Sequence, residues 1–213
     1  MIPYFQLTMF HFGPIPVQVW GLMVACGILA ALFLFAVRVR RHGGDPERVW
    51  RLATPLLVGA FLGARIVHIV FYDVGFYRDN PGEILKIWHG GMSSLGGFIG
   101  AALGLWYAKA RQKWSWDEFV ATYLDDGMLS FWLGWGIGRI GCFLIHDHPG
   151  TLTHFVGGVR YPGGVRHDLG LYESLLGFGL FLACLLSFSW FVKKGKGYLA
   201  GFSVAMYAVV RIY

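Results

Sequence analysis

Six apolar runs, at about 16–37, 52–72, 92–108, 119–145, 169–192 and from 198 onward, constrain this chain more than any other feature. A helix needs roughly 20 predominantly apolar residues to cross the hydrocarbon of a bilayer, and each run approaches or exceeds that length. Backbone amides in hydrocarbon must be paired within their own segment, and these runs are too long and continuous for barrel strands. The expected fold is therefore an all-α, polytopic transmembrane helix bundle. Only 14% of the 213 residues are charged, against about a quarter in soluble domains. No Ser/Pro-rich stretch or charge block divides the chain, so a single integral membrane domain over residues 1–213 is expected. The sixth run reaches Tyr213 without a closing loop, and a seventh helix is expected to be missing from the C-terminus.

Basic residues between the runs give an orientation. Arg38, Arg40, Arg41, Arg48 and Arg51 follow the first run, Lys109, Arg111 and Lys113 the third, and Lys193, Lys194 and Lys196 the fifth. The intervening loops hold only Arg78, Lys86, Arg160 and Arg166. Strict alternation places the richer side in the cytoplasm and the N-terminus outside. The first 37 residues contain no Lys or Arg, so no cleaved signal peptide is expected in them. The formal charge of +6 is scattered between apolar runs and forms no patch, so no nucleic-acid partner is expected.

Three basic residues remain, Arg65, Arg139 and Arg211, each inside an apolar run. A charge at membrane depth costs at least about 2.5–3.5 kcal/mol on insertion scales. One explanation is snorkelling, or pairing with Asp125, Asp126 or Glu173. The other is convergence on an anionic ligand, for which the planar guanidinium fork suits phosphate. The topology puts all three toward the outer ends of their helices, as a phospholipid headgroup would require.

Glycines cluster at 90, 91, 96, 97, 100 and 104 and again at 134, 136, 138 and 141. They serve either close helix packing or the approach of backbone to a ligand. Gly136-x-Gly138-x-x-Gly141 mimics a dinucleotide fingerprint, but no strand precedes it. His146-Asp147-His148 with His154 carries metal-ligand chemistry but no established ligand spacing, so no metal is expected. Either His146 or His148 suits a general base near neutral pH, and the alternative is a hydrogen bond to loop backbone. Cys26, Cys142 and Cys184 are odd in number and form no CxxC, which argues against a disulfide framework or a structural zinc site, and at least Cys26 and Cys184 read as small buried hydrophobes.

Several segments then fall into one order: Val19-Trp20-Gly21-Leu22-Met23; Phe61-Leu62-Gly63-Ala64-Arg65 with Phe71-Tyr72; and Trp88-His89-Gly90-Gly91-Met92-Ser93-Ser94-Leu95-Gly96-Gly97. They continue with Gly138-Arg139-Ile140-Gly141-Cys142-Phe143, His167-x4-Tyr172-Glu173 and Tyr207-x3-Arg211. Together the six segments resemble the motifs of the prolipoprotein diacylglyceryl transferase family across nearly the whole chain. The resemblance implies a seven-helix enzyme of the bacterial inner membrane, multi-pass, with its N-terminus outside. It would transfer a diacylglyceryl group from phosphatidylglycerol to the lipobox cysteine thiol of a preprolipoprotein, with glycerol phosphate leaving. No cofactor is implied.

The resemblance also assigns roles. Arg139 and Arg211 would clamp the phosphate, and Glu173 would orient an arginine. Arg65, Gly90, Gly91, Ser93, Gly96, Gly97 and Tyr207 would line the lipid headgroup. The resemblance supplies no base in this chain, and His146 or His148 would take the thiol proton instead. The chain departs from the family at Leu95, where a functional histidine is usual, at Cys142 for asparagine and at Trp20 for tyrosine. It also has Ile145-His146-Asp147 in place of the family's N-x-E. A nearby histidine therefore replaces the usual base, or the chain is a non-catalytic phospholipid-binding paralogue. An anion transporter is a third reading, disfavoured because the two halves show no inverted repeat.

Overall fold

Helices run through all six expected segments, and four of them are long and apolar enough to cross a membrane: Val19–Arg41, Pro46–Phe71, Trp116–Ile145 and Leu169–Lys194. The computed structural model describes residues 1–13, 15–86 and 90–212. In chain order the α-helices are α1 (Val19–Arg41), α2 (Pro46–Phe71), α3 (Val74–Asp79), α4 (Ser94–Arg111), α5 (Trp116–Phe119), α6 (Asp125–Ile145), α7 (Leu169–Lys194) and α8 (Tyr198–Ile212). A short π-helical stretch, Val120–Leu124, joins α5 to α6. A 3-10 turn, Pro81–Leu85, follows α3. Asp45 caps α2 by accepting from the Glu47 amide, with Pro46 at the first helical position.

The chain divides into two units, Asp45–Phe119 and the remainder, Met1–Gly44 with Val120–Tyr213. In the smaller unit α2 lies along α4. Gly59 and Gly63 face Gly96, Gly100 and Gly104, and a Cβ on Gly63 or Gly96 would run into the carbonyl of the other. The small-residue stripe is thus a backbone-to-backbone seam, the packing role open in the sequence for Gly96 and Gly100. In the larger unit α6 packs on α1 and α7, and α7 on α8. Gly27 of α1 meets the Gly134 backbone of α6, and Gly177 of α7 meets Gly136. The false dinucleotide motif therefore lies inside a helix–helix interface. Leu129, Trp132, Leu180, Cys184, Phe191 and Leu199 form the core of this unit.

Strands interrupt the expected all-helical chain. Residues 146–168, expected as a loop, supply β4 (Pro149–Leu152), β5 (Val159–Tyr161) and β6 (Gly164–Asp168), and the N-terminus supplies β1 (Ile2–Pro3). They form a sheet in the order β1-β5-β6-β4. The β5–β6 hairpin turns tightly at Pro162-Gly163, with Tyr161 paired to Gly164. Gly164 sits at φ +119°, a conformation a side chain would strain. A separate hairpin joins β2 (Met9–Phe12) to β3 (Ile15–Gln18).

Candidate functional site

Glu173 sits in the first turns of α7, buried at 6% exposure, and Ser174 beside it donates to the Gly136 carbonyl of α6. Two guanidinium groups meet on its carboxylate. Arg139 Nη2 of α6 lies 2.7 Å from Oε2, and Arg211 Nη1 of α8 lies 2.5 Å from Oε1. Tyr207, one turn before Arg211, directs its hydroxyl to Oε2 at 3.5 Å. The Arg139 guanidinium also lies over the Trp135 ring, 4.8 Å from its centroid. Two positive charges and one negative charge leave the cluster one positive charge in excess. Arg211 is half exposed, so the cluster has an open side.

Arg65 is held differently. It is 6% exposed, in α2 of the smaller unit. Its Nε donates to the Ile84 carbonyl, Nη2 to Glu83 and Nη1 to Gly90 and Gly91. Gly90 and Gly91 adopt φ +85° and +79°, which turns both carbonyls onto this one side chain. Ser93 follows, its amide donating to the Ala64 carbonyl and its hydroxyl accepting from the Gly96 amide as the cap of α4. The expected headgroup residues Arg65, Gly90, Gly91, Ser93 and Gly96 thus form a loop clamp. A Cβ added at Gly97 would meet Ala64 only at ordinary contact distance. Leu95 is 60% exposed. Trp88 and His89 of the expected glycine-rich motif lie outside the described residues.

The histidines separate clearly. His146 ends α6 in the left-handed conformation, φ 52° and ψ 44°. Its Nδ1 lies 2.6 Å from Asp168 Oδ2, and both side chains are 1% exposed. A carboxylate only accepts, so Nδ1 carries the hydrogen. Tyr161 donates its hydroxyl to the same oxygen at 2.7 Å. Burial, and then the hydrogen bond and charge of Asp168, push the Tyr161 phenol above its ordinary range. Tyr4 stacks on the imidazole at 4.8 Å, and Phe5 and Phe143 close on it edge-on. His146 Nε2 is buried without a partner among the described residues.

His148 is open instead, its side chain 52% exposed, with Nδ1 2.6 Å from Asp147 Oδ1. Among the described residues, neither histidine ring takes the alternative role, a hydrogen bond to loop backbone. The left-handed turn at His146 folds residues 147 and 148 back over the end of α6. A ligand-capable atom of Asp147 and one of His148 lie within 4.8 Å of each other and of Cys142 Sγ. Cys142 in turn accepts a 3.5 Å hydrogen bond from Arg139 Nη1. The Trp20 side chain lies beside the same sulfur, so two of the departures from the family pattern, Trp20 and Cys142, are neighbours. Glu173, Arg139, Cys142, Asp147 and His148 form one continuous run of polar groups.

Asp168 and Tyr161 were not foreseen. Asp168 carried one signal, its place as an N-cap: its Oδ1 accepts from the Leu171 amide at the start of α7. The two other candidate carboxylates serve neither Arg139 nor Arg211. Asp126 pairs with Arg38 at 2.7 Å and His42 at 2.6 Å. Asp125 accepts from the amides of Gly197 and Ala200.

A family model described as prolipoprotein diacylglyceryl transferase matches residues 7–213. A phosphatidylglycerol–prolipoprotein diacylglyceryl transferase of Mannheimia succiniciproducens is 33% identical over 98% of this chain and 78% of its own length. One of Pasteurella multocida is 32% identical over 98% of this chain and 77% of its own. One of Nitratidesulfovibrio vulgaris is 33% identical over 93% and 76%.

Proposed function

Because the chain belongs to the prolipoprotein diacylglyceryl transferase family, we propose that it transfers a diacylglyceryl group from phosphatidylglycerol to a prolipoprotein cysteine thiol. The sulfur attacks the glyceryl carbon that bears the phosphate ester. A C–S bond forms, the C–O bond breaks, and glycerol phosphate departs with the electron pair.

The observation that carries this reading is the meeting of Arg139 and Arg211 on one buried Glu173. The cluster's single excess positive charge matches the single negative charge of a phosphodiester. As the C–O bond breaks, the phosphate gains charge toward the −1.5 to −2 typical of a monoester near neutrality. Oriented guanidinium donors in a site of low dielectric stabilise that added charge more than the starting ester. Glu173 holds both forks at one depth, and Tyr207 steadies the carboxylate.

His148 is the better proton acceptor of the two histidines. Asp147 takes its Nδ1, leaving Nε2 for a substrate thiol, and it lies in the polar run leading to Arg139. His146 is sealed under three aromatic rings and shapes the turn that presents Asp147 and His148. Arg65, Gly90, Gly91 and Ser93 fix the loop over α2 and act on the lipid only through that loop.

Two further crossings, α4 and α8, complete six spans. The lysines and arginines ending α1, α4 and α7 face the cytoplasm, and the N-terminus and sheet lie outside the inner membrane. Arg139→Ala, assayed in membranes supplied with phosphatidylglycerol and a lipobox peptide, is expected to lower transfer by about 10²–10³-fold. Undiminished transfer would refute the clamp. His148→Ala is expected to lower the rate by about 10²–10⁴-fold at unchanged melting temperature, the usual span for a general base. His146→Ala is expected to lower the melting temperature first. The reverse pattern would exchange their roles.

The exposed Leu95, in place of a histidine, favours a second reading as a lipid-binding paralogue. Saturable phosphatidylglycerol binding with no turnover would select it.

A further inference from the structure

Cys142 is a thiol in the last turn of a membrane helix, 5% exposed, within reach of an exposed carboxylate and an exposed imidazole. Nothing in the transfer chemistry requires a thiol on the protein. We propose that Cys142, Asp147 and His148 form a binding site for a thiophilic divalent cation of the Zn²⁺ class, and that its occupancy shuts the transferase off.

The donor set is one sulfur, one nitrogen and one oxygen, the chemistry that zinc accepts in sites with three protein ligands and one open position. With metal–ligand bonds of about 2.0–2.3 Å, the ligand atoms of a tetrahedral site stand about 3.3–3.8 Å apart. The three atoms here lie within 4.8 Å of one another. Rotation of Asp147 and His148, both on the surface, closes the difference while Cys142 stays fixed. The turn that aims them is rigid, because His146 is locked by Asp168 and the His148 carbonyl accepts from the Leu169 amide. Binding expels the thiol proton to solvent, and a thiolate plus a carboxylate balance the charge of the ion. Cys142 also borders Arg139. An ion there takes the Asp147–His148 pair out of proton transfer and occupies the sulfur that accepts from the guanidinium. The inhibitory half of the proposal rests on His148 as proton acceptor, and the binding half does not.

The test uses the whole purified protein in detergent or nanodiscs, titrated with Co²⁺ as an optical probe and then with Zn²⁺ as competitor. The expected result is a thiolate-to-cobalt charge-transfer band that Zn²⁺ abolishes. Cys142→Ser loses the band, and His148→Ala keeps it with affinity at least tenfold weaker. Cys26→Ser and Cys184→Ser leave it intact. Absence of the band, or its persistence in Cys142→Ser, overturns the site. In the transfer assay, Zn²⁺ is expected to inhibit the native protein, while Cys142→Ser resists at least tenfold more Zn²⁺, each judged against its own metal-free rate. Equal inhibition of both would place the ion on the peptide's thiol and overturn the inhibitory half. Cobalt bound through Cys142 without inhibition would uphold the site and remove His148 from the mechanism.

Discussion

At the scale of single residues, the membrane-facing chemistry divides into charges held for use and charges spent on structure. Arg139 and Arg211 keep donors beyond those given to Glu173, whereas Arg65 spends four hydrogen bonds on loop carbonyls. Tyr161 shows the structural use of a titratable group most clearly. Its phenol is held above the ordinary range because burial disfavours the phenolate and Asp168 accepts a hydrogen bond from the protonated hydroxyl. A raised folded-state value means that the folded chain binds this proton more tightly than the unfolded chain. The contribution is therefore fully present below pH about 10, where an unfolded tyrosine titrates, and declines as pH rises beyond it. Tyr161→Phe is expected to lower stability at neutral pH by about 0.5–1.5 kcal/mol, a typical hydrogen bond. It is also expected to flatten the loss of stability above pH 10. Melting temperatures of both forms between pH 7 and pH 11 check this, and parallel alkaline limbs would show that Tyr161 does not supply the effect.

At the scale of elements, the helices were legible in the sequence and the sheet was not. Twenty-residue apolar runs declare themselves without knowledge of any partner. The strands are two to five residues long, and β1 finds its parallel partner β5 more than 150 positions away. Nothing local in Ile2-Pro3 records that pairing. Arg139, Glu173 and Arg211 were legible because charge in hydrocarbon demands a reason. Which carboxylate each arginine would choose depended on helix packing, and Asp125 is the instructive case. It sits at the start of α6 and caps α8 from outside that helix, accepting from Gly197 at 2.8 Å and Ala200 at 2.9 Å. A carboxylate there satisfies unpaired amides and complements the helix dipole. A helix of 15 residues is marginal alone, and this one carries Tyr207 and Arg211. Asp125→Ala is expected to cost about 0.5–2 kcal/mol, the range for a lost cap. It should also weaken transfer by loosening Arg211, with Asp125→Asn recovering part of both. A native melting temperature and native rate in Asp125→Ala would show that α8 is held by its core contacts with Leu199 alone.

At the scale of the whole molecule, the placement of charge decides which membrane face the chemistry can serve. The larger unit gathers the C-terminal end of α6, the N-terminal end of α7 and the sheet at one end. The other end holds Arg38, His42, Asp126 and the basic residues of the α7–α8 connection. Within the larger unit, Arg38, Arg40 and Arg41 at the end of α1 and Lys193, Lys194 and Lys196 at and after the end of α7 make six basic residues toward that second end, against Arg160 and Arg166 on the sheet at the first. Moving the richer set across hydrocarbon is strongly disfavoured, so the topology proposed above would put the arginine cluster and the Asp147–His148 pair near the outer surface. Leu152 on β4, 63% exposed, reports one face, and Lys196 between α7 and α8 the other. In a background with Cys26, Cys142 and Cys184 replaced by serine, Leu152→Cys is expected to react with an impermeant maleimide in intact spheroplasts. Lys196→Cys is expected to react only after the membrane is opened. The opposite pattern would invert the topology, moving the clamp to the cytoplasmic leaflet. A thiol substrate would then have to be modified before its export, because the guanidinium pair is built near one end of the bundle and cannot serve both faces.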